Sequence, residues 1–312
     1  MSSSSDSFLL KGRYADRYRW EVLTEAKDGS DSRPTAQSII DDEGLRGKMT
    51  EKVFLVTGCS SGAGVATVAA LASTGATIFA TARDLQKAKT ILGSVLDENK
   101  GRVHLLYMEQ TDFDSVRRCA AEFRKATPGG KLNVLICNAA IMAPPHTLVS
   151  EHSIESQFAT NYLSHFLLFE LLKDLMIASS TPKFNSRVVS VSSTAHRLDT
   201  VDFDDINYTK GRNYEPYPAY GQSKTACIWF ANQIERMYGS QGLHANSLMP
   251  GGWESGLQKY SKEFSLELYK EPKVAKLLGT VRILTLAPVH PPSQPWLVAS
   301  LEKNTSLILI PF

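Results

Sequence analysis

Between residues 52 and 248, short apolar runs without polar alternation take turns with longer segments of helical spacing. Residues 52–57 are a compact apolar run followed by glycine, and 62–73 are alanine-rich with helical spacing. Similar runs at 76–82, 102–108, 132–137, 187–191 and 245–248 predict five further strands. Segments 84–96, 112–125, 153–176 and 220–238 predict the helices between them. Continuous β-branched runs suit strands buried on both faces, as in a parallel sheet covered by helices. Right-handed crossovers then give an α/β fold: a single doubly wound parallel sheet with helices on both faces.

The pattern divides the chain in three. Residues 1–48 open with a serine run and carry many charges, a polar N-terminal arm with a short helix at 35–45. Residues 49–280 hold the alternating pattern, and 281–312 form a divergent proline-rich C-terminal segment. There Pro288, Pro291, Pro292 and Pro295 interrupt helix, while 306–310 suit an edge strand.

Composition narrows the partners. Hydrophobic residues make up 43% of the chain, enough for a packed core, and the formal net charge of +2 is too balanced to favour nucleic acid or an acidic membrane. Residues 11–20 interleave basic and aromatic side chains, which reads as a solvated arm rather than a nucleic-acid contact. Cys59, Cys119, Cys137 and Cys227 form no CxxC pair, and the seven histidines show no HExxH spacing. Neither a disulfide framework nor a metal site is expected. No apolar run approaches the ~18 residues of a membrane span, and Phe8-Leu9-Leu10 is too short for a signal-peptide core. The expectation is a soluble cytoplasmic protein without a transmembrane segment.

The chemistry gathers at strand ends. Thr57-Gly58-Cys59-Ser60-Ser61-Gly62-Ala63-Gly64 joins the first strand to the first helix. Gly58 permits a tight turn, Gly62 lets the backbone approach a pyrophosphate, and Gly64 lets helix pack closely on strand. The helix that follows directs its N-terminal amides and dipole at phosphates. The second strand ends in Thr81-Ala82-Arg83, where an NAD-preferring site needs a carboxylate for the ribose hydroxyl. Ala82 has none, whereas Arg83 suits a 2′-phosphate and Ser61 adds a hydroxyl. Asp84 stands one residue further and keeps the NAD reading open, but NADP(H) is favoured.

Tyr220 and Lys224 are spaced i, i+4, so they share a helix face. A free tyrosine, with a pKa of ~10, is a poor acid–base group at neutral pH, and a neighbouring ammonium is expected to lower it. Such a pair can exchange a proton with a carbonyl or alcohol oxygen while hydride moves. Ser192-Ser193 ends the fifth strand, Asn138 the fourth, and Met249-Pro250-Gly251-Gly252 the sixth. Asn161 lies inside an otherwise apolar helix, where a buried amide needs a partner.

Taken together, these residues resemble the short-chain dehydrogenase/reductase family over about residues 40–280. The matched order is the TGxxxGxG loop, the NAG-like turn at Asn138, then Asn161, Ser193, Tyr220 with Lys224, and the turn at Pro250. Asn161-Tyr162-Leu163-Ser164-His165-Phe166 and Val191-Ser192-Ser193-Thr194-Ala195-His196 are similar to the branch holding retinol dehydrogenases, WW-domain oxidoreductases and their fungal and plant relatives. The resemblance implies a Rossmann fold and an NADP(H)-dependent enzyme acting on a small lipophilic or secondary-metabolite carbonyl/alcohol pair. It implies that Ser193 bonds the substrate carbonyl, Tyr220 donates or accepts the proton, Lys224 holds the nicotinamide ribose, Asn161 anchors a water of the proton relay and Asn138 steadies the central strand. By the same resemblance Ser60, Ser61, Ala63, Arg83, Glu109, Pro250, Gly251 and Ser255 join the glycines Gly58, Gly62 and Gly64 around the cofactor. Homo-oligomers are common in the family. Ala63, Ala140, the Glu109-Gln110 pair and Ser255 depart from its usual residues, as does the proline-rich tail. A second reading keeps the cofactor site but makes the protein a catalytically idle sensor or binding partner.

Overall fold

The computed structural model describes residues 36–250 and 256–260. Six strands form one parallel sheet: β1 Val53–Val56, β2 Thr77–Ala82, β3 Val103–Tyr107, β4 Val134–Cys137, β7 Ser186–Val191 and β8 Leu243–Leu248. Two short strands, β5 Leu148–Val149 and β6 Ile154–Glu155, pair antiparallel as a separate hairpin. The helices are α1 Ala36–Asp42, α2 Gly62–Ala72, α3 Leu85–Ile91, α4 Gly93–Glu98, α5 Phe113–Ala126, α6 Ser156–Phe158, α7 Ser164–Ser179 and α8 Pro216–Tyr238.

Strand order is β3-β2-β1-β4-β7-β8. The chain steps outward from β1 to β3, then returns to place β4 on the other side of β1. The topology therefore reverses between β1 and β4, and a crevice opens beyond their carboxyl ends. Side chains of β1 show why both faces are covered. Val53 and Leu55 join a core with α5, α7 and α8, while Phe54 and Val56 join a second core with α2. All four are buried, so the strand has no polar face and reads as a continuous apolar run. The doubly wound α/β sheet expected from the sequence is the fold.

Three element boundaries differ from expectation. The helix expected over 84–96 is two, because Leu92 leaves helical geometry (φ −90°, ψ 7°) with its side chain fully buried, and Gly93 follows. The helix expected from 153 begins later. Ser153 has φ 52°, β6 follows, and the buried Glu155 carboxylate caps α6 by accepting from Gln157 N at 3.0 Å and Phe158 N at 2.8 Å. A π turn, Ala159–Leu163, then precedes α7. The helix expected from Tyr220 starts at Pro216, since proline fits a first helical turn. Tyr220 thus sits a full turn inside α8. The short helix expected near 35–45 is α1, which packs Ala36 and Ile40 on Ala70 of α2. The N-terminal arm before residue 36, the proline-rich tail and its expected edge strand lie outside the described residues. No described helix is long and apolar enough to cross a membrane.

Candidate active site

The loop after β1 is shaped by close backbone contacts. Gly58 has φ +74°, and a Cβ there would meet Ala139 Cα at 2.8 Å. A Cβ on Gly64 would run into Gly58 O and Asn138 Nδ2, so the first turn of α2 seats directly on the loop. Gly62 has φ +58°. Ser61 stands at the N-cap with an extended backbone and makes no side-chain capping bond. The first amides of α2 thus keep their donors for an anion in the crevice. A nucleotide pyrophosphate fits this cradle.

Asn138 welds the end of β4 to the loop. Its Nδ2 donates to Thr57 O at 2.8 Å and to Gly58 O at 3.3 Å. The backbone N–H groups of Asn138 and Ala139 each donate to Thr57 Oγ1 at 2.9 Å. The two strands flanking the topological switch are thereby held at one register.

Arg83 and Glu109 stand at the outer end of the crevice, with Arg83 Nη1 3.9 Å from Glu109 Oε2. The Arg83 side chain is 63% exposed, so this pair is weak and the guanidinium remains accessible. Asp84 is committed elsewhere: its Oδ1 accepts from Lys87 N at 2.8 Å and caps α3. Asp84 thus caps α3 through one carboxylate oxygen.

At the inner end, Tyr220 is 4% exposed and Lys224 1%. Gly221 brings them there, because a Cβ at that position would meet Ala195 O at 2.5 Å. Its absence lets α8 approach the turn after β7, which sets the Tyr220 phenol near Ser193. Ser192 Oγ donates to Lys224 O at 2.8 Å, and Lys224 Nζ donates to Val191 O at 2.9 Å. The expected lowering of Tyr220 by Lys224 is not what the geometry produces. Burial pushes the Tyr220 phenol above its ordinary range, with the Ser193 hydrogen bond opposing. Lys224 Nζ is turned to the Val191 carbonyl, 5.4 Å from the Tyr220 ring centroid, so phenolate desolvation dominates. Burial likewise pushes the Lys224 ammonium down.

Asn161 occupies the π turn. Its side chain exchanges two hydrogen bonds with Ile141, Nδ2 to O at 3.0 Å and Oδ1 from N at 2.9 Å. Nδ2 also donates to Ser223 Oγ at 2.9 Å. The Asn161 amide is thus a clamp between the loop after β4 and α8, rather than a group pointing to solvent.

The crevice is about 390 Å³. Of the residues expected from the sequence, Gly58, Ser60, Ser61, Gly62, Ala63, Arg83, Glu109, Asn138, Tyr220, Lys224 and Pro250 line it. Gly64, Asn161 and the half-buried Ser193 are not among the lining residues, and Gly251 and Ser255 lie outside the described residues. Sequence reasoning missed Met142, Thr147, Thr160, Lys259 and Tyr260 in the lining. It also missed His165, whose ring is buried between Thr57 and Asn161. The signal for Met142 and Thr147 was their place in the connection that follows β4; His165 offered only a polar side chain in an apolar helix.

The comparisons with known proteins agree with this geometry. Residues 52–204 match the short chain dehydrogenase family model. The short-chain dehydrogenase/reductase prx1 of Penicillium roqueforti is 46% identical over 77% of this chain and 68% of its own length. Human retinol dehydrogenase 13 is 36% identical over 64% of this chain and 58% of its own. Among solved structures, an uncharacterised protein from Mycobacterium paratuberculosis is 30% identical with a TM-score of 0.56, covering 70% of this chain and 73% of that one. The RhlG/NADP active-site complex of Pseudomonas aeruginosa, at 20% identity and a TM-score of 0.53, shares the fold over 72% of this chain and 78% of its own. The chain belongs to the short-chain dehydrogenase/reductase family.

Proposed function

We propose that this chain is an NADP(H)-dependent oxidoreductase that interconverts a carbonyl and an alcohol on a small lipophilic or secondary-metabolite substrate. The observation that carries it is the buried Tyr220, near Ser193 and backed by Lys224, on the wall of a crevice opened by the nucleotide loop. The nicotinamide, when bound, supplies the hydride for reduction or accepts it for oxidation. In reduction Ser193 holds the carbonyl oxygen and Tyr220 donates the proton to it; in oxidation Tyr220 receives the proton of the alcohol. Burial keeps the phenol protonated, the form that donates in reduction, but also weakens it as an acid, so bound substrate and cofactor must lower its pKa for turnover. Lys224, at the inner end, would hold the nicotinamide ribose.

Preference for the 2′-phosphate is supported by the accessible Arg83 and by the engagement of Asp84 in capping α3. The lipophilic substrate class is supported by Ile141, Met142 and Pro144, which bring apolar surface into the lining. Purified protein with NADPH and a panel of apolar aldehydes and ketones tests the proposal. Tyr220→Phe should lower kcat by about 10²- to 10⁴-fold while NADPH still binds. Near-normal turnover in that variant would remove Tyr220 from the chemistry.

A further inference from the structure

We infer that His165 is a positioning residue: as a neutral imidazole protonated on Nδ1, it ties the nucleotide loop through Thr57 to Asn161 and the catalytic helix. The inference rests on the cofactor site and the role of Tyr220 proposed above.

The tautomer follows from counting donors. Thr57 Oγ1 accepts N–H bonds from Asn138 and Ala139, both at 2.9 Å. A hydroxyl oxygen has two acceptor positions, so both are used and its own proton must go to another acceptor. His165 Nε2 lies 2.8 Å away and Ile136 O 3.4 Å away. The shorter contact takes the proton, so Nε2 accepts. Nδ1 then carries the ring proton and donates to Asn161 O at 2.9 Å. Protonating the ring would set an Nε2–H against an oxygen with no lone pair left.

Burial supports the same state. The ring is fully enclosed, which pushes its pKa down to about 4; the Asn161 carbonyl opposes this and the Lys224 charge adds to it. Cys227, on α8, reaches the same carbonyl with its Sγ at 3.4 Å.

The bridge connects both halves of the site. On one side Thr57 also accepts Asn138 Nδ2 at its carbonyl, 2.8 Å away. On the other, Asn161 Nδ2 donates to Ser223 Oγ, which donates to Tyr220 O at 2.7 Å. The π turn over Ala159–Leu163 places Asn161 and His165 in this chain, and such turns recur at functional sites. One ring thus links the nucleotide loop to the helix that holds the proton donor.

Two measurements on the full chain test this. In the first, ¹⁵N-histidine-labelled protein is followed by long-range ¹H–¹⁵N correlation, His165 being identified by its loss in His165→Gln. The ring should show a protonated Nδ1 and bare Nε2, unchanged from about pH 5 to about pH 9. Thr57→Ser, which keeps the hydroxyl, should preserve that signature, and Thr57→Val should shift Nε2. In the second, NADPH is titrated by its fluorescence. His165→Gln and Thr57→Val should each weaken binding about tenfold, with Thr57→Ser within about twofold of wild type. A ring protonated on Nε2 at neutral pH, or unchanged NADPH binding in His165→Gln, would overturn the inference. Wild-type protein that binds neither NADPH nor NADH would instead defeat the proposed function, leaving the tautomer signature to decide the bridge alone.

Discussion

At Gly64 one hydrogen atom does what no other side chain can. An added methyl group would run into backbone at Gly58 as well as the Asn138 amide, and backbone yields less readily than a flexible side chain. Gly64→Ala should destabilise the fold by about 1–3 kcal/mol, read as a lower urea midpoint, and weaken NADPH binding with it. Tyr220, Lys224, Ser193 and Asn138 were legible because their side-chain chemistry stood at strand ends and at helical spacing. The direction of the Tyr220 shift was not legible. It depends on how deeply α8 seats the ring and on Lys224 finding the Val191 carbonyl. His165 was hidden for a related reason: its partner Thr57 is 108 residues away in the chain, so local pattern could not reveal the bridge.

Between elements, polar locks set what apolar pattern left open. Asp84 looked from the sequence like a rival ribose ligand, and only its bond to Lys87 N shows it to be a cap. The start of the helix expected from residue 153 was illegible because Glu155, a charged residue in a polar stretch, is buried as a cap. The long connection between β7 and α8 is held by Arg212, which bonds Asp199 Oδ2 at 2.5 Å and Gln222 Oε1 at 3.1 Å. Asp205 adds three acceptor bonds, from the backbone N–H groups of Thr209, Lys210 and Arg212. Arg212→Met should cost about 1–3 kcal/mol, because half-buried acceptors lose a charged donor. Limited proteolysis should then cut between residues 199 and 212 faster than in wild type.

For the whole molecule, the doubly wound sheet was readable because the central strands β1, β2, β4 and β7 are buried on both faces almost throughout, and this leaves little choice but helices on both sides. The strand order then fixes the crevice at the switch between β1 and β4. Global stability should report His165. Its pKa is about 4 in the fold against 6.5 for the free ring, so between those values the unfolded chain binds more protons. Stability from this group is therefore intact above about pH 6.5, falls as pH drops toward about 4, and levels off below, a loss of at most about 3 kcal/mol. Urea unfolding at about pH 7 and about pH 5 should show a smaller drop for His165→Gln than for wild type. An equal drop in both would place the ring's titration elsewhere.

The most direct test is a fluorescence titration of the full chain with NADPH and with NADH, for wild type and Arg83→Ala. The account predicts that wild type binds NADPH at least about tenfold more tightly than NADH, and that Arg83→Ala weakens NADPH by about 1.5–3 kcal/mol while sparing NADH, as loss of a charge-assisted bond requires. Tighter binding of NADH, or binding of neither nucleotide, would contradict it.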